Sequence, residues 1–156
     1  MAIAQPLARY LSREHAAYST LVHERAYTAL KEAEVAHVSG RRWAKSVACF
    51  ADEEPLLAVV SADLTVDLKR LRRLAGVRAV RLATEVEIAT LYPECEPGAM
   101  PPFGSLFGQR TFIDIALALE GELVFNAGTY SDAIRMDYQA FADLEKPVVG
   151  AIAVWR

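Results

Sequence analysis

Apolar residues recur at helical spacing in residues 5–15 and 64–75, which each predict a helix, and capping residues predict three further helices. The predicted helices cover residues 5–15, 29–37, 64–75, 85–92 and 138–144. In the third helix the leucines form one buried stripe, and the basic side chains lie outside it. These basic residues are Lys69, Arg70, Arg72 and Arg73. The third helix is therefore expected to present a basic face to solvent.

Residues that can cap helices mark several of the predicted boundaries. Thr28 and Asp137 each precede a predicted helix, as N-cap residues do. Thr84 and Glu87 stand three residues apart, which is the spacing of a capping box. Gly76 is expected to end the third helix. These residues fix where the helices begin and end.

One pair of apolar segments predicts a β-hairpin. Residues 43–50 are apolar on both faces, as in a buried strand, and residues 56–61 return after the polar turn 52–55. Alternation along the first strand places Lys45 on the same side as Val47, among apolar neighbours. Lys45 therefore interrupts an apolar face.

Shorter apolar runs predict the remaining strands. They cover residues 18–23, 77–82, 111–114, 122–126, 133–136 and 147–154. The order of helices and strands lacks the regular alternation of a doubly wound fold. Seven or eight short strands are enough to curl a sheet. We therefore expect an α+β fold with a mixed, partly closed β-barrel-like sheet surrounded by helices.

Composition narrows the class of protein. The 156 residues, of which 53% are hydrophobic, can bury the core of a single domain, which we expect to span residues 1–156. The net charge of −3 gives no sign of a nucleic-acid binder, so an RNA partner would need a local basic patch. No stretch of about 18 apolar residues occurs. We expect a cytoplasmic protein with no membrane and no DNA partner.

Several common catalytic and metal-binding patterns are missing from the sequence. Cys49 and Cys95 are far apart, and the three histidines form no zinc-binding motif, so we expect no metal and no cofactor. No Gly-x-Ser-x-Gly motif marks a serine nucleophile. The glycines match neither the P-loop nor the dinucleotide-binding motif. Asp114 and Asp137 are better explained by a strand end and a helix cap.

The segment from Gly98 to Gly108 combines three glycines with two adjacent prolines. Because proline has no N–H, the backbone donors of this loop fall into two groups. The groups are Gly98, Ala99 and Met100 before the prolines, and Phe103, Gly104 and Ser105 after them. Grouped donors in a rigid loop can hold an oxyanion or a phosphate. A plain surface connection is the alternative for a loop of this composition.

Two basic features are candidates for binding a charged ligand. Lys45 would need a partner or a cleft if it is buried, or else it extends from the strand end to solvent. Basic side chains are also concentrated between Lys69 and Arg81. Phosphate contact is there the alternative to an ordinary solvated face, and it matters if the substrate is RNA.

Four stretches, taken in order, carry a family resemblance over nearly the whole chain. They are Gly-Arg-Arg-Trp-Ala-Lys-Ser-Val (40–47), Val-Arg-Leu-Ala-Thr-Glu-Val-Glu-Ile (80–88), Gly-Ala-Met-Pro-Pro-Phe-Gly (98–104) and Phe-Asn-Ala-Gly-Thr (125–129). The set resembles the YbaK-like aminoacyl-tRNA deacylases, free-standing relatives of the editing domain in bacterial prolyl-tRNA synthetases. The resemblance implies a metal-independent hydrolase with a mixed β-barrel-like domain ringed by helices.

The resemblance also implies roles for particular residues. The implied catalytic residues are the family's lysine and its Gly-x-x-x-Pro loop, here Lys45, Gly98, Ala99, Met100 and Pro102. As our own hypothesis, the candidate substrate-binding residues are Phe103, Gly104, Ala127, Gly128, Thr129 and Tyr130. The basic residues Lys69, Arg70, Arg72 and Arg73 are the candidates for contacts with tRNA phosphates. The branch that the chain most resembles usually has histidine at position 130, so its tyrosine predicts a changed amino-acid preference.

These features lead to a first hypothesis, in which the chain is a trans-editing hydrolase for a small mischarged amino acid on tRNA. The resemblance implies alanine or cysteine on proline tRNA, and a synthetase is a further expected partner. Water would attack the ester carbonyl, loop N–H groups would stabilise the oxyanion, and Lys45 would hold the phosphate, the ribose or the oxyanion. The alternatives are a non-catalytic module that binds tRNA or a synthetase, and a small-molecule binder.

Overall fold

The computed structural model describes residues 5–155, which form six α-helices and ten β-strands. The helices are α1 (Gln5–Arg13), α2 (Ala29–Val35), α3 (Leu68–Ala75), α4 (Glu85–Leu91), α5 (Ile115–Ala118) and α6 (Tyr138–Glu145). The strands are β1 (Ser19–Val22), β2 (Trp43–Ala51), β3 (Glu54–Ser61), β4 (Leu64–Val66), β5 (Val80–Leu82), β6 (Arg110–Asp114), β7 (Glu122–Asn126), β8 (Asp132–Asp137), β9 (Val148–Gly150) and β10 (Ala153–Trp155). A 3-10 helix covers Gly104–Phe107.

Eight of the strands form one mixed sheet. They follow the order β1-β8-β7-β2-β3-β6-β9, and β5 pairs with part of β2. β2 and β3 pair antiparallel from Ala44 opposite Ser61 to Ala51 opposite Glu54, which is the hairpin that the apolar pattern predicts. β7 pairs with β2, β6 with β3, and β9 with β6, all in parallel. The predicted α+β class, with a mixed sheet and surrounding helices, is confirmed.

The central strand β2 has different neighbours at its two ends. Residues 43–44 pair with β7, whereas residues 49–51 pair with β5. The Ala83 N–H, just past β5, donates to Ala48 O and extends this second pairing by one step. Residues 45–47 lie between the two partner strands, and we call them the β2 interval. The interval leaves room beside a central strand for something other than another strand.

Apolar side chains cover both faces of this sheet. On one face, α1 and α6 pack over a cluster that includes Leu7, Phe125 and Phe141. On the other, α3 contributes Leu71 to a cluster built around Cys49. Alternate residues of β2, β3 and β6 belong to the two clusters, as the period of a strand requires. The sheet is thus buried on both sides, and the hairpin is its centre.

The predicted helix 64–75 is wrong in its first turn. Residues 64–66 form β4, which pairs antiparallel with β10. The helix begins only after Asp67, whose carboxylate accepts from the N–H groups of Lys69 and Arg70. Leu64 therefore belongs to a strand and not to the helical stripe. Gly76 ends the helix in the left-handed conformation, as predicted.

Two predicted strands also have wrong boundaries. The predicted strand 147–154 is divided into β9 and β10, which belong to different sheets. Between them, the Asp114 carboxylate accepts from the N–H groups of Ile152 and Ala153, which turns the chain away from the larger sheet. The predicted strand 77–82 forms only at β5, since the Asp52 carboxylate binds the N–H groups that precede it.

The predicted caps can be compared one by one. Thr28 accepts from the Lys31 N–H, and Thr84 and Glu87 form the complete capping box. Asp137 stands at the N-cap of α6, but its side chain makes no capping hydrogen bond. The first helix ends at Arg13, two residues early. Helix α5 and the 3-10 helix are short elements that the apolar pattern does not predict.

Candidate functional site

A cavity of about 360 Å³ opens beside the β2 interval. It is lined by β2 from Lys45 to Ala48, which we call the floor, by the start of α2, which we call the α2 wall, and by Pro97, Gly98, Met100 and Tyr130, which we call the loop wall. Leu82, Ala83 and Ile88 complete the lining. This volume lies in the range of small-molecule sites. The cavity is therefore large enough for an amino acid and part of a nucleoside.

Ser46 lies at the middle of the cavity floor. Trp43 O accepts a hydrogen bond from the Ala62 N–H, just past β3. Ala48 O accepts one from the Ala83 N–H, just past β5. Because backbone groups alternate along an antiparallel strand, Ser46 turns its N–H and C=O away from β3 and into the β2 interval. Its Oγ is buried and has no hydrogen-bond partner within residues 5–155. Ser46 thus lines the cavity with a backbone N–H and C=O on the side away from β3 and a buried hydroxyl beside them.

The first half of the glycine–proline loop faces the same space. Gly98 has a φ of +85°, in the region that favours glycine, and no atom lies within 4 Å of a Cβ built on it. The Ala99 N–H donates to Glu96 O at 2.9 Å. The N–H groups of Gly98 and Met100 donate to no atom of the part of the chain that the structure describes. These two donors are therefore available to a ligand.

The donors that follow the prolines are used inside the protein. The Phe103 N–H donates to Pro101 O at 2.8 Å, and the Gly104 N–H donates to Thr111 Oγ1 at 2.8 Å. This corrects the expectation that both groups of loop donors face a ligand. The oxyanion-binding capacity of the loop lies before the prolines.

Some residues expected to contact substrate lie in the core instead. The Phe103 ring is fully buried, with its centroid 5.1 Å from that of Phe141 and 5.7 Å from that of Phe125. Ala127 belongs to the same apolar cluster. Pro102 is also buried and is not among the lining residues. These residues support the loop from the core side.

Hydrogen bonds fasten the loop to the turn that follows β7. The Gly128 N–H donates to Ala99 O at 3.0 Å, and Gly128 O accepts from the Glu96 N–H at 2.8 Å. Thr129 Oγ1 closes the turn by donating to Asp132 Oδ2. Gly128 and Thr129 therefore shape the wall from outside the lining. Their turn carries Tyr130 to the edge of the cavity.

Tyr130 closes the cavity mouth on the loop side. Its OH donates to Pro97 O at 2.6 Å, and its N–H donates to Glu96 Oε1 at 2.9 Å. Burial raises the pKa of its phenol above the ordinary value. The hydroxyl is thus a protonated donor that is engaged with the loop.

An aromatic pair, with one exposed and one half-buried ring, stands at this mouth. The rings of Tyr27 and Tyr130 meet edge to face with centroids 5.1 Å apart. The Arg25 guanidinium lies 5.1 Å from the Tyr130 ring centroid and forms an ion pair with Glu96. Tyr27 remains 70% exposed. The mouth therefore offers a flat, partly cationic surface to a ligand.

Lys45 lines the cavity and emerges from β2 on the face opposite Ser46. Its Nζ donates to Leu64 O at the start of β4, at 2.7 Å. The lysine is half-buried, so it lies between the two alternatives of a buried and a solvent-exposed side chain. The structure brings Lys45 together with Gly98 and Met100 around one cavity.

Glu32 is a lining residue that our sequence reasoning missed. Its side chain is 5% exposed, and its Oε2 accepts from Asn126 Nδ2 and lies 3.8 Å from His23 Nε2. Burial raises the pKa of the carboxyl to about 7, and the Asn126 hydrogen bond opposes the rise. Glu32 falls on the apolar face of α2, beside Ala33, and this position is the sequence signal that could have revealed it.

The basic residues of α3 lie outside the cavity. All four are exposed, and α3 packs beside β5, whose last residue, Leu82, lines the cavity. The basic sequence run also includes Arg81, but its guanidinium is paired with Glu87 at 2.8 Å. The basic face of α3 therefore adjoins the site without forming part of it.

The thiols and the acidic groups show no activated nucleophile or metal cluster. Burial raises the pKa of Cys49 to about 12 and that of Cys95 to about 11, so both thiols stay protonated. Within residues 5–155, no group of three or more His, Cys, Asp or Glu side chains is placed to hold a metal ion. None of the helices in that range is long and apolar enough to cross a membrane.

Known proteins resemble this chain in sequence and in structure. Over 87 residues the chain is 34% identical to a proline–tRNA ligase from Xylella fastidiosa (strain M12), a match that covers 56% of this chain and 15% of the ligase. The chain thus corresponds to a small part of that enzyme.

Two solved structures share the fold. The crystal structure of a hypothetical protein designated APE2540 matches with a TM-score of 0.87 at 16% identity, over 96% of this chain and 100% of the other. A candidate trans-editing enzyme for prolyl-tRNA synthetase matches with a TM-score of 0.81 at 22% identity, over 96% of each chain.

A family model describes most of the chain. Residues 23–144 match the model of the aminoacyl-tRNA editing domain. The matched range contains both walls and the floor of the cavity. The match agrees with the resemblance carried by the four sequence stretches. The chain belongs to the aminoacyl-tRNA editing domain family, with the YbaK-like proteins and the editing domain of prolyl-tRNA synthetases as its relatives.

Proposed function

We propose that the protein hydrolyses the ester that joins a small mischarged amino acid, alanine- or cysteine-like, to the terminal adenosine of a tRNA. One observation carries the proposal: in a chain of the editing-domain family, the β2 interval, Lys45 and the unpaired donors of the loop surround one cavity of suitable size. Proline tRNA is the tRNA that the family relationship suggests.

The proposed reaction needs little from the protein beyond positioning. A water oxygen bonds to the ester carbonyl carbon, and the carbonyl oxygen becomes an oxyanion. The N–H groups of Gly98 and Met100 donate to that oxyanion. The tetrahedral species then expels the ribose oxygen, which takes the proton that the water released. An aminoacyl ester is already reactive, so a held water, helped by a ribose hydroxyl of the substrate, suffices without a metal.

In this scheme Ser46 and Lys45 hold the substrate from the floor. The Ser46 hydroxyl and backbone groups orient the water or the ester. The ammonium of Lys45 sits on a flexible four-carbon stem, so it can turn from the Leu64 carbonyl toward a phosphate or the oxyanion. Support for both contacts comes from the position of Lys45 and Ser46 on the lining of one cavity.

The mouth of the cavity suits the end of a tRNA. Unpaired bases bind by stacking on aromatic rings and on arginine guanidinium groups. Tyr27, Tyr130 and Arg25 supply such a surface for the terminal adenine. The basic face of α3, beyond β5, would hold phosphates of the acceptor stem. The amino acid itself would meet apolar walls at Leu82, Ile88 and Met100, which exclude large side chains.

A deacylation assay on tRNAs charged with alanine, cysteine, serine and proline tests the proposal. We expect wild type to release the small amino acids, and we expect Lys45→Met to lower that rate by about 100-fold. Lys31→Met is the matched control, since Lys31 is exposed on α2 and does not line the cavity. Equal background loss from every tRNA with wild type and Lys45→Met would contradict the proposal.

A non-catalytic module that binds tRNA or a synthetase is the second candidate. It is favoured by one observation, since the hydroxyl of Tyr130, which stands where related proteins have histidine, is engaged with Pro97 O. Filter binding of the same charged tRNAs, run in parallel, separates the two functions. Tight binding without release of amino acid would support the second candidate.

A further inference from the structure

The α2 wall of the cavity carries a carboxylate where the helix is otherwise apolar. Ala29 and Ala33 of α2 pack against a cluster that contains Trp43, and Glu32 lies between them on the same face. Acidic side chains are seldom buried this deeply unless they are paired. The partners of the Glu32 carboxyl therefore indicate what this residue does in the cavity.

The Glu32 carboxyl has no charged hydrogen-bond partner among residues 5–155. Its one hydrogen bond among residues 5–155 comes from Asn126 Nδ2, which also donates to Thr129 O at 3.2 Å and is thereby fixed in orientation. His23 lies beyond it, but the contact of 3.8 Å is longer than a hydrogen bond.

The ring of His23 is oriented so that it offers Glu32 no proton in its neutral form. Its Nδ1 lies 2.7 Å from Glu24 O, and because a carbonyl only accepts, Nδ1 carries the hydrogen. Nε2 is then an acceptor, and it has no hydrogen-bond partner in the described part of the chain. Glu32 thus faces one amide donor, an imidazole acceptor and the cavity.

The charges that line the cavity are complementary to an aminoacyl ester. Of its lining residues within 5–155, Glu32 on the α2 wall is the acid and Lys45 on the floor is the base. An aminoacyl ester carries an ammonium one carbon away from its carbonyl. An ammonium held at Glu32 keeps the carbonyl in the same cavity as the N–H groups of Gly98 and Met100.

We infer that the Glu32 carboxylate binds the free α-ammonium group of the substrate, so that the cavity takes esters of unmodified amino acids and rejects acyl groups without a free amine. The inference rests on the proposed function, because it places an aminoacyl ester in the cavity. Asn126 and His23 act as positioning residues that hold the carboxylate toward the ligand.

The electrostatics of the wall agree with this assignment. Burial is the main cause that raises the pKa of Glu32 to about 7; the Asn126 hydrogen bond opposes the rise, and the charge of Glu96 adds to it. The other groups that face this region are His23, Tyr130 and Lys45. A bound ammonium favours the ionised carboxyl and so lowers that pKa. An α-amino group, with a pKa of about 8, is largely protonated at neutral pH.

The inference is tested with adenosine analogues that cannot be hydrolysed, in which an amide replaces the ester at the 3′ position. The alanyl amide carries the amine, and the propionyl amide lacks only the amine. Calorimetric titration gives the affinity of each for wild type and for Glu32→Gln. Glutamine keeps an acceptor for Asn126 and removes the charge. Glu34→Gln is the matched control, since Glu34 is exposed on the same helix.

We expect wild type and Glu34→Gln to bind the alanyl amide about 10- to 100-fold more tightly than the propionyl amide. Glu32→Gln should lose this preference while its affinity for the propionyl amide stays unchanged. Equal binding of both analogues by wild type, weakening of both by Glu32→Gln, or binding of neither by wild type would each overturn the inference. An amine preference in a protein that hydrolyses no aminoacyl-tRNA would overturn the proposed function alone.

Discussion

The two halves of the glycine–proline loop have similar compositions, but one half lines the cavity and the other half packs in the core. Before the prolines, Gly98 and Met100 line the cavity with N–H groups that no described residue accepts. After them, Phe103 enters the core and Gly104 donates to Thr111. We call these the cavity half and the core half of the loop.

The difference arises from partners that lie far away in the chain. In the core half, the Glu145 carboxylate of α6 accepts from the Ser105 N–H and hydroxyl and from the Thr111 hydroxyl. In the cavity half, the Gly128 N–H donates to Ala99 O. The N–H groups of Gly98 and Met100 have no acceptor in the described part of the chain. The loop donors that the described part of the fold leaves unused, those of Gly98 and Met100, therefore lie in the cavity half.

The largest effect is expected from Phe103→Ala in the core half. The ring packs edge to face against Tyr10, Phe125 and Phe141, so its removal leaves a cavity in the core. We expect the free energy of unfolding to fall by about 3–5 kcal/mol, as measured by urea denaturation. A loss below about 1 kcal/mol would mean that the core half is not structural.

The carboxylates on either side of the loop extend the comparison to pH. Glu145 has three donors, whereas Glu32 has burial without a matching charge, which raises its pKa from 4.5 to about 7. The folded protein therefore prefers protonated Glu32. This contribution to stability is complete below pH 4.5 and is lost as the pH rises through 7.

We expect wild type to lose roughly 2–3 kcal/mol relative to Glu32→Gln between pH 5 and pH 8. Urea denaturation of both proteins at the two pH values measures the difference, and Glu34→Gln should behave as wild type does. Parallel pH dependence of wild type and Glu32→Gln would show that the folded protein holds Glu32 charged by some other group.

Gly104→Ala probes close packing in the core half. A Cβ at this position would lie 2.6 Å from Thr111 Oγ1 and 2.9 Å from Gln109 O, so the backbone must shift. We expect a loss of about 1–3 kcal/mol in the free energy of unfolding. Unchanged thermal stability would contradict the tight fit of this residue.

Gly98→Ala is the counterpart in the cavity half and should destabilise least. No atom would contact the new Cβ, but a φ of +85° strains any residue other than glycine by about 1 kcal/mol. Its deacylation rate should nevertheless fall further than that of Gly104→Ala, assayed where both proteins are folded. The reverse order of rates would assign ligand binding to the core half.

Local signals in the sequence predict local structure well. The box formed by Thr84 and Glu87 lies within one turn of helix, and it appears as predicted. The alternation in 43–50 and 56–61 likewise gives the hairpin, because its two strands adjoin in sequence. By contrast, residues 64–66 have helical periodicity but pair with β10, near the end of the chain, and this pairing decides their structure.

Prediction of the site is limited in the same way, because contacts between residues distant in sequence decide it. Position and residue type point to Lys45 and to Gly98, which line the cavity. The sequence does not show whether Phe103 lines a pocket or lies in the core. Its place in the core depends on packing against α1, β7 and α6, which are distant in the sequence. The position of Glu32 beside Ala33 is a weak signal in the sequence, and its burial becomes evident only where His23 and Asn126 enclose it.

Under the proposed function, the β2 interval separates two tasks that an editing site must perform. The backbone groups at its centre are the same whatever residue occupies the position, so they hold a ligand without regard to the amino acid it carries. Discrimination then falls to the side chains of Leu82, Ile88 and Met100, none of which belongs to the central hairpin. Substitution at these three positions can therefore change which amino acid is accepted while the sheet that carries the chemistry remains intact, a division that lets one scaffold diversify.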